Sequence, residues 1–235
     1  KNNAIDKIDI NAEQAWDIIQ GSNNVLIGVL DTGIYINHED LIGNIFANTN
    51  EIAGNNIDDD ENGYVDDTNG YNFFDDNNIV FDQAIYDKHG TAVAGIIAAN
   101  ANAIGIRGIA NNVKILPLKF IKGSEGYTSD AILAIEYAKS LGVKIINCSF
   151  GSNEYNPALK WVMENNSDIL FVCAAGNDGK DSINNKTFPA CYKLSNIISV
   201  GAIDENGLIA NFSNYGADID VAAPEIGRAS CRERV

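Results

Sequence analysis

Six short apolar runs, rich in Val and Ile, punctuate the chain: VLIGVL at 25–30, VKILPLK at 113–119, VKIINCSF at 143–150, DILFVCAAG at 168–176, IISVGAI at 197–203 and DIDVAAP at 218–224. Their apolarity is continuous rather than alternating, the pattern of strands covered on both faces in a parallel sheet. Helical patterns fall between them. SDAILAIEYAKSLG at 129–142 has apolar residues at helical spacing, Asp130 in its first turn and Gly142 as a stop. NPALKWVMENN at 156–166 predicts a second helix, capped by Asn156 with Pro157 in its first turn. HGTAVAGIIAA predicts a third, beginning at His89 and kept slender by Gly90, Ala92, Ala94 and Gly95. This alternation predicts an α/β fold with a mostly parallel central sheet flanked by helices on both faces, and chemistry at the carboxyl ends of its strands. The segment from about 44 to 86, rich in Asn, Asp and Gly, reads as a long surface excursion.

Composition narrows the classes. A chain of 235 residues with 46% hydrophobic residues has enough apolar matter for one sizeable domain, which excludes wholesale disorder. The formal net charge of -16 argues against nucleic acid and anionic membranes as partners, since phosphate binding needs clustered Lys and Arg. No run is long and apolar enough for a membrane span. The chain opens at Lys1 without a signal-peptide pattern, so it reads as a mature or excerpted segment. Cys148, Cys173, Cys191 and Cys231 show no zinc spacing; the first two lie in apolar runs and read as buried thiols.

Three polar residues stand where chemistry is expected. Asp31 closes the first apolar run, where it could cap a turn, hold a ribose or orient a base. His89, one of two histidines, could be structural or a proton carrier. Asn177 follows FVCAAG and could be a turn residue or an oxyanion donor. LDTGIYINHEDL, HGTAVAGIIAA, INCSFGS, AAGND and VAAP, in this order, resemble the subtilisin-like serine peptidases, the subtilases, over nearly the whole chain. The resemblance implies a three-layer subtilisin-like fold and a secreted, monomeric serine endopeptidase. It implies Asp31 as the orienting acid, His89 as general base and then acid, and Asn177 as a donor to the oxyanion. It further implies that Ser149, Phe150 and Gly151 pair with a protein or peptide substrate bound as an extended strand. Ala92 departs from the pattern, because many members carry a second His there.

Calcium is the expected cofactor. In IDDDENGYVDD, residues 57–67, the D-x-D-x-N-G spacing offers oxygens from Asp58, Asp60 and Asn62, the Tyr64 carbonyl and Asp66, though Asn69 stands where a full EF-hand has Glu. A solvated acidic loop would look the same. By resemblance, a second site would use Asp40, the Asn102 side chain and the carbonyls of Asn100, Ile104 and Ile106.

The chain's end does not follow the family. A G-T-S-M-A-x-P nucleophile motif is absent, Ser213 and Ser230 lack its context, and Glu225 stands where Gly is expected. Arg228, Arg232 and Arg234 crowd the last eight residues, while Arg107 is the only other Arg. These features predict an incomplete catalytic domain over 1–224, a foreign tail over 225–235, and no proteolysis by the chain as it stands. Two other functions compete with this reading. One is a non-catalytic calcium-binding module on a peptidase scaffold; the other, a nucleotide-binding domain keyed on Asp31, lacks any G-x-G-x-x-G or P-loop. The richness in Asn, Ile and Lys suits an AT-rich bacterial genome.

Overall fold

The structure, a computed structural model, describes residues 8–225. In chain order its elements are α1 (Ala12–Trp16), β1 (Leu26–Asp31), β2 (Tyr71–Asn72), α2 (Ala84–Ala98), β3 (Lys114–Lys119), β4 (Ile121–Lys122), β5 (Glu125–Gly126), α3 (Thr128–Ser140), β6 (Ile145–Cys148), α4 (Pro157–Asn165), β7 (Leu170–Ala174), β8 (Ile197–Ile203) and β9 (Val221–Pro224). They divide between two units, one over Gln20–Asn147 and the other from Cys148 onward together with the segment ending at Ile19. The α/β, mostly parallel architecture expected from the sequence is the one observed.

In the first unit, β2, β3, β1 and β6 lie side by side in that order, all parallel. Leu26–Asp31 register one-to-one with Lys114–Lys119, so the last residues of β1 and β3, Asp31 and Lys119, are neighbours. Ile27 and Val29 of β1 and Ile115 of β3 form a buried cluster with Ile34, Leu41, Val113 and the α2 residues Ala94 and Ala98. Burying each of the larger side chains contributes roughly 1.5–3 kcal/mol, and the alanines let the helix axis approach the strands. α3 packs on the same two strands, with Ala131, Ala134, Ile135 and Ala138 buried. The far end of α2 is tied by Asn44, whose buried Nδ2 lies 2.8 Å from the carbonyls of Ala98 and Asn111. That contact satisfies a carbonyl that a helix end otherwise leaves orphaned.

In the second unit, β7, β8 and β9 are parallel. Asn156 caps α4 as its sequence predicts, its side-chain oxygen accepting from the N–H groups of Ala158 (3.0 Å) and Leu159 (3.1 Å), with Pro157 at the first helical position. The buried Asn196 amide donates toward the carbonyls of Met163, Asn166 and Ile169, closing the connection from α4 into β7. Asp218, with its side chain 3% exposed, receives Lys186 and Lys193 (3.0 Å).

Two expectations change. Burial on both faces holds for β1 and β3, but β6, β7 and β8 alternate between buried and half-buried, and Val221 of β9 is 52% exposed. The slender helix does not begin at His89: it starts at Ala84, and His89 stands in its second turn. Of the proposed tail over 225–235 only Glu225 is described, its N–H donating to the Ile203 carbonyl at 2.8 Å; Ser230 and the late arginines lie outside the described residues.

Candidate active site

Asp31 ends β1 as a nearly sealed carboxylate, its side chain 2% exposed, while the His89 side chain above it is 52% exposed. The imidazole Nδ1 is 2.8 Å from Asp31 Oδ1 and 3.0 Å from Oδ2. A carboxylate beside Nδ1 fixes the proton there and leaves Nε2 as the ring's basic nitrogen. The Thr32 N–H donates to Asp31 Oδ1 at 2.7 Å, locking the carboxylate's rotation.

The small residues around His89 follow from how near α2 comes to the end of β1. Gly33 has φ +132°, and a Cβ on Gly90 would stand 2.3 Å from the Gly33 carbonyl oxygen. Helix and loop therefore touch backbone to backbone, which only glycine allows. Two side-chain bonds hold the contact: the Gly90 N–H donates to Thr32 Oγ1 (3.1 Å), and the Tyr35 N–H donates to Thr91 Oγ1 (3.0 Å). Beneath it lies an ion pair invisible to motif reading, Lys119 Nζ with both Asp87 oxygens at 2.7 and 2.8 Å, both side chains fully buried. The other histidine is structural: His38 is buried, and its Nδ1 accepts from the Asp40 N–H.

In the second unit, Asn177 is exposed just beyond β7, after Ala175 and Gly176. The loop carrying it is braced by Asn214, a residue sequence reasoning passed over. Asn214 Nδ2 donates to the Ala175 carbonyl (2.9 Å), and its Oδ1 accepts from the N–H groups of Asp178 (3.2 Å) and Lys180 (3.0 Å). Ser149 and Phe150 lie half-buried past the end of β6, and Gly151 is exposed, followed by an antiparallel bridge between Ser152 and Phe188. A Cβ on Gly151 would meet Thr187 Cγ2 at 2.5 Å. Ser213 is sealed, 1% exposed, its hydroxyl donating to the Asn214 carbonyl and accepting from the Ala202 N–H.

The acidic loop gathers a carboxylate cluster that holds Asp58 and Asp60 of the expected set and adds Glu51. Glu51, Asp58 and Asp60 bring oxygens within 4.8 Å of one another. Glu51 is buried, and its Oε2 has no hydrogen-bond partner. Tyr64 turns its ring into an edge-to-face group with Tyr71, Phe73 and Tyr137. Asn62 spends its amide on Asp67 (2.9 Å) and its oxygen on the Tyr64 N–H (2.8 Å). Asp66 stands outside the cluster, its carboxylate accepting from the N–H groups of Gly54, Asn55 and Asn56. Asp67 is buried and accepts the Tyr137 hydroxyl at 2.6 Å; burial first, then this carboxylate, pushes the Tyr137 pKa above its ordinary value, so the phenol keeps its proton.

The second expected metal loop closes on Asp40 by hydrogen bonds. Asp40, fully buried, accepts from Asn102 Nδ2 (3.0 Å) and the Ile106 N–H (3.1 Å). Asn102 Oδ1 accepts from the Ile104 N–H, and the Asn100 carbonyl from the Asn102 N–H. Neither Asp40 nor Asn102 has a buried side-chain oxygen or nitrogen without a partner.

The profile of the subtilase family matches residues 22–230, running past Pro224. A thermophilic serine proteinase from Bacillus sp. strain AK1 is 36% identical over 91% of this chain and 47% of its own length. The major intracellular serine protease of Bacillus subtilis is 34% identical over 92% of this chain and 62% of its own. Among solved structures, one described as proteases from Pseudoalteromonas arctica superposes with a TM-score of 0.71 at 27% identity, covering 91% of this chain and 66% of that one. The chain thus spans about half to three-fifths of these two relatives' lengths. With the order of motifs, the α/β topology and the Asp31–His89 contact already in hand, the match over most of its length means that this chain belongs to the subtilase family.

Proposed function

We propose that this chain forms the acid–base half of a serine endopeptidase centre. The observation that carries the reading is an exposed imidazole whose Nδ1 contacts a sealed carboxylate at 2.8 Å. His89 Nε2 would take a hydroxyl proton during attack on a peptide carbonyl and return it to the leaving amine. Asp31 holds the ring's tautomer and stabilises the imidazolium. Asn177, on its Asn214-braced loop, would donate to the oxyanion, and Ser149–Gly151 would pair with an extended protein or peptide substrate. The nucleophile is proposed to lie outside this sequence, because Ser213 is sealed and Ser230 lacks the family context. Accordingly the chain alone is expected not to react with a fluorophosphonate probe.

Calcium is proposed as a structural cofactor at Glu51, Asp58 and Asp60. The buried, unpartnered Glu51 Oε2 supports it, since hard oxygen ligands are what that ion selects. Bound there, the ion would neutralise the cluster and tie the acidic loop to the sheet. A monomeric, exported protein is proposed from the family alone; one relative's name is that of an intracellular protease.

The test is cleavage of a mixed peptide library by the complete gene product, with Asp31→Asn and His89→Ala beside it. Cleavage that falls about 10⁴-fold in Asp31→Asn supports the reading. A cleaving protein whose rate ignores both substitutions refutes it, and a calcium-binding protein that cleaves nothing favours the non-catalytic module.

A further inference from the structure

We propose that the buried Lys119–Asp87 pair is a positioning device that sets the angle at which His89 meets Asp31; the inference rests on the peptidase reading above. Lys119 is the last residue of β3 and the register partner of Asp31, the last of β1. Asp87 precedes His89 by two residues on α2. The ammonium thus grips the helix from the strand end adjacent to the one that carries the acid.

The grip is directional. Lys119 Nζ meets both Asp87 oxygens at 2.7 and 2.8 Å, and neither side chain has measurable exposure. Asp87 Oδ2 also accepts from the N–H groups of Asp82 (2.6 Å) and Gln83 (3.2 Å), which fixes the chain entering the helix. On its other side, a Cβ on Gly33 would stand 3.0 Å from the Asp87 carboxyl carbon, so the carboxylate is wedged between that loop and Lys119. Removed from water, such a pair loses much of its attraction to desolvation, and an apolar pair of similar volume often stabilises a fold as well or better. What the charges add is orientation. An acid–base contact works only within about 0.5 Å and 10–20° of its productive geometry, and a helix free to roll at its first turns would exceed both.

The experiment uses this chain with 15N-labelled histidine and follows the far-downfield proton resonance of a carboxylate-bound Nδ1–H, assigned by its loss in His89→Ala. The wild-type chain is expected to show it. Lys119→Met combined with Asp87→Asn replaces the charges with neutral groups of similar shape; it is expected to unfold cooperatively on heating yet lose the resonance. Asp87→Glu keeps both charges but adds a methylene behind the carboxylate, and it too is expected to lose the resonance while folded. That second variant decides the matter should the neutral pair not fold. In the complete gene product, either folded variant is expected to show about 100-fold lower kcat with KM unchanged. Folded variants that keep the resonance would reduce the ion pair to a fold-holding role and overturn the inference. A wild-type chain without the resonance would instead overturn the Asp31–His89 contact, and the positioning role with it.

Discussion

Replacing Gly90 by Ala tests whether the backbone contact between α2 and the loop after β1 sets the site's geometry. The new Cβ would stand 2.3 Å from the Gly33 carbonyl oxygen, about 1.1 Å short of the 3.4 Å at which ordinary contact begins. The obstacle is backbone, so no side-chain rotation relieves it. Gly33 cannot retreat easily either, because the Ile34 N–H is bonded to the Val80 carbonyl at 2.9 Å. The helix must therefore lift by about 1 Å, and overpacking of this kind costs typically 1–3 kcal/mol. In a protein of this size that is about 2–12 °C in melting temperature. The same lift stretches the His89–Asp31 contact from 2.8 Å toward about 3.8 Å, beyond hydrogen-bonding reach. Differential scanning calorimetry reads the first effect, and the downfield imidazole proton reads the second. A Gly90→Ala protein with unchanged melting and an intact resonance would show that the close approach is incidental, and the account of the slender helix would fall.

Glu51→Gln addresses the metal reading. Calcium at 100 times its Kd would stabilise the wild-type chain by about 2.7 kcal/mol, or about 5–11 °C relative to EDTA; the variant should lose most of that difference, and an equal gain in both would remove Glu51 from the site. Acid titration should expose Asp218, whose carboxyl is held below its ordinary 3.8 by the Lys186 ammonium first and Lys193 after it. A lowered folded-state value contributes stability that is complete above about pH 4 and lost as pH falls through the folded-state pKa. Asp218→Asn should therefore melt lower at neutral pH and show a flatter decline on acidification; an identical acid limb would place the ion pair's energy elsewhere.

The strand-forming parts were legible because they obey local rules. All six apolar runs are strands, and Asn156-Pro157 marks the start of α4 to the residue. The misses share a cause. β2 has two residues, and the β4–β5 ribbon pairs Ile121 with Gly126 and Lys122 with Glu125, too short for any periodicity to register. In α2 the apolar Ala84 and Ile85 have Lys88 and His89 four residues on, so no apolar repeat marks the first turn and the sequence pattern places the start at the histidine. At the site, Asp31 and His89 were readable from motifs, but their supports were not. Lys119 and Asp87 are 32 residues apart in sequence and look like ordinary surface charges until the fold removes both from water. Glu51 likewise lies outside the D-x-D-x-N-G spacing, and Asp66, inside it, is consumed by backbone N–H groups.

The tie between Asn44 and the last turn of α2 has a consequence for length. With Gly90 seated on Gly33 at one end and the Ala98 carbonyl held by Asn44 at the other, the seven residues between them act as a ruler. Adding or deleting one residue there would rotate everything beyond it by about 100° and shift it 1.5 Å, so one end must come unseated. Natural variation within this family should accordingly exchange side chains along that span while leaving its residue count alone, and grow or shrink the chain in the loops outside it.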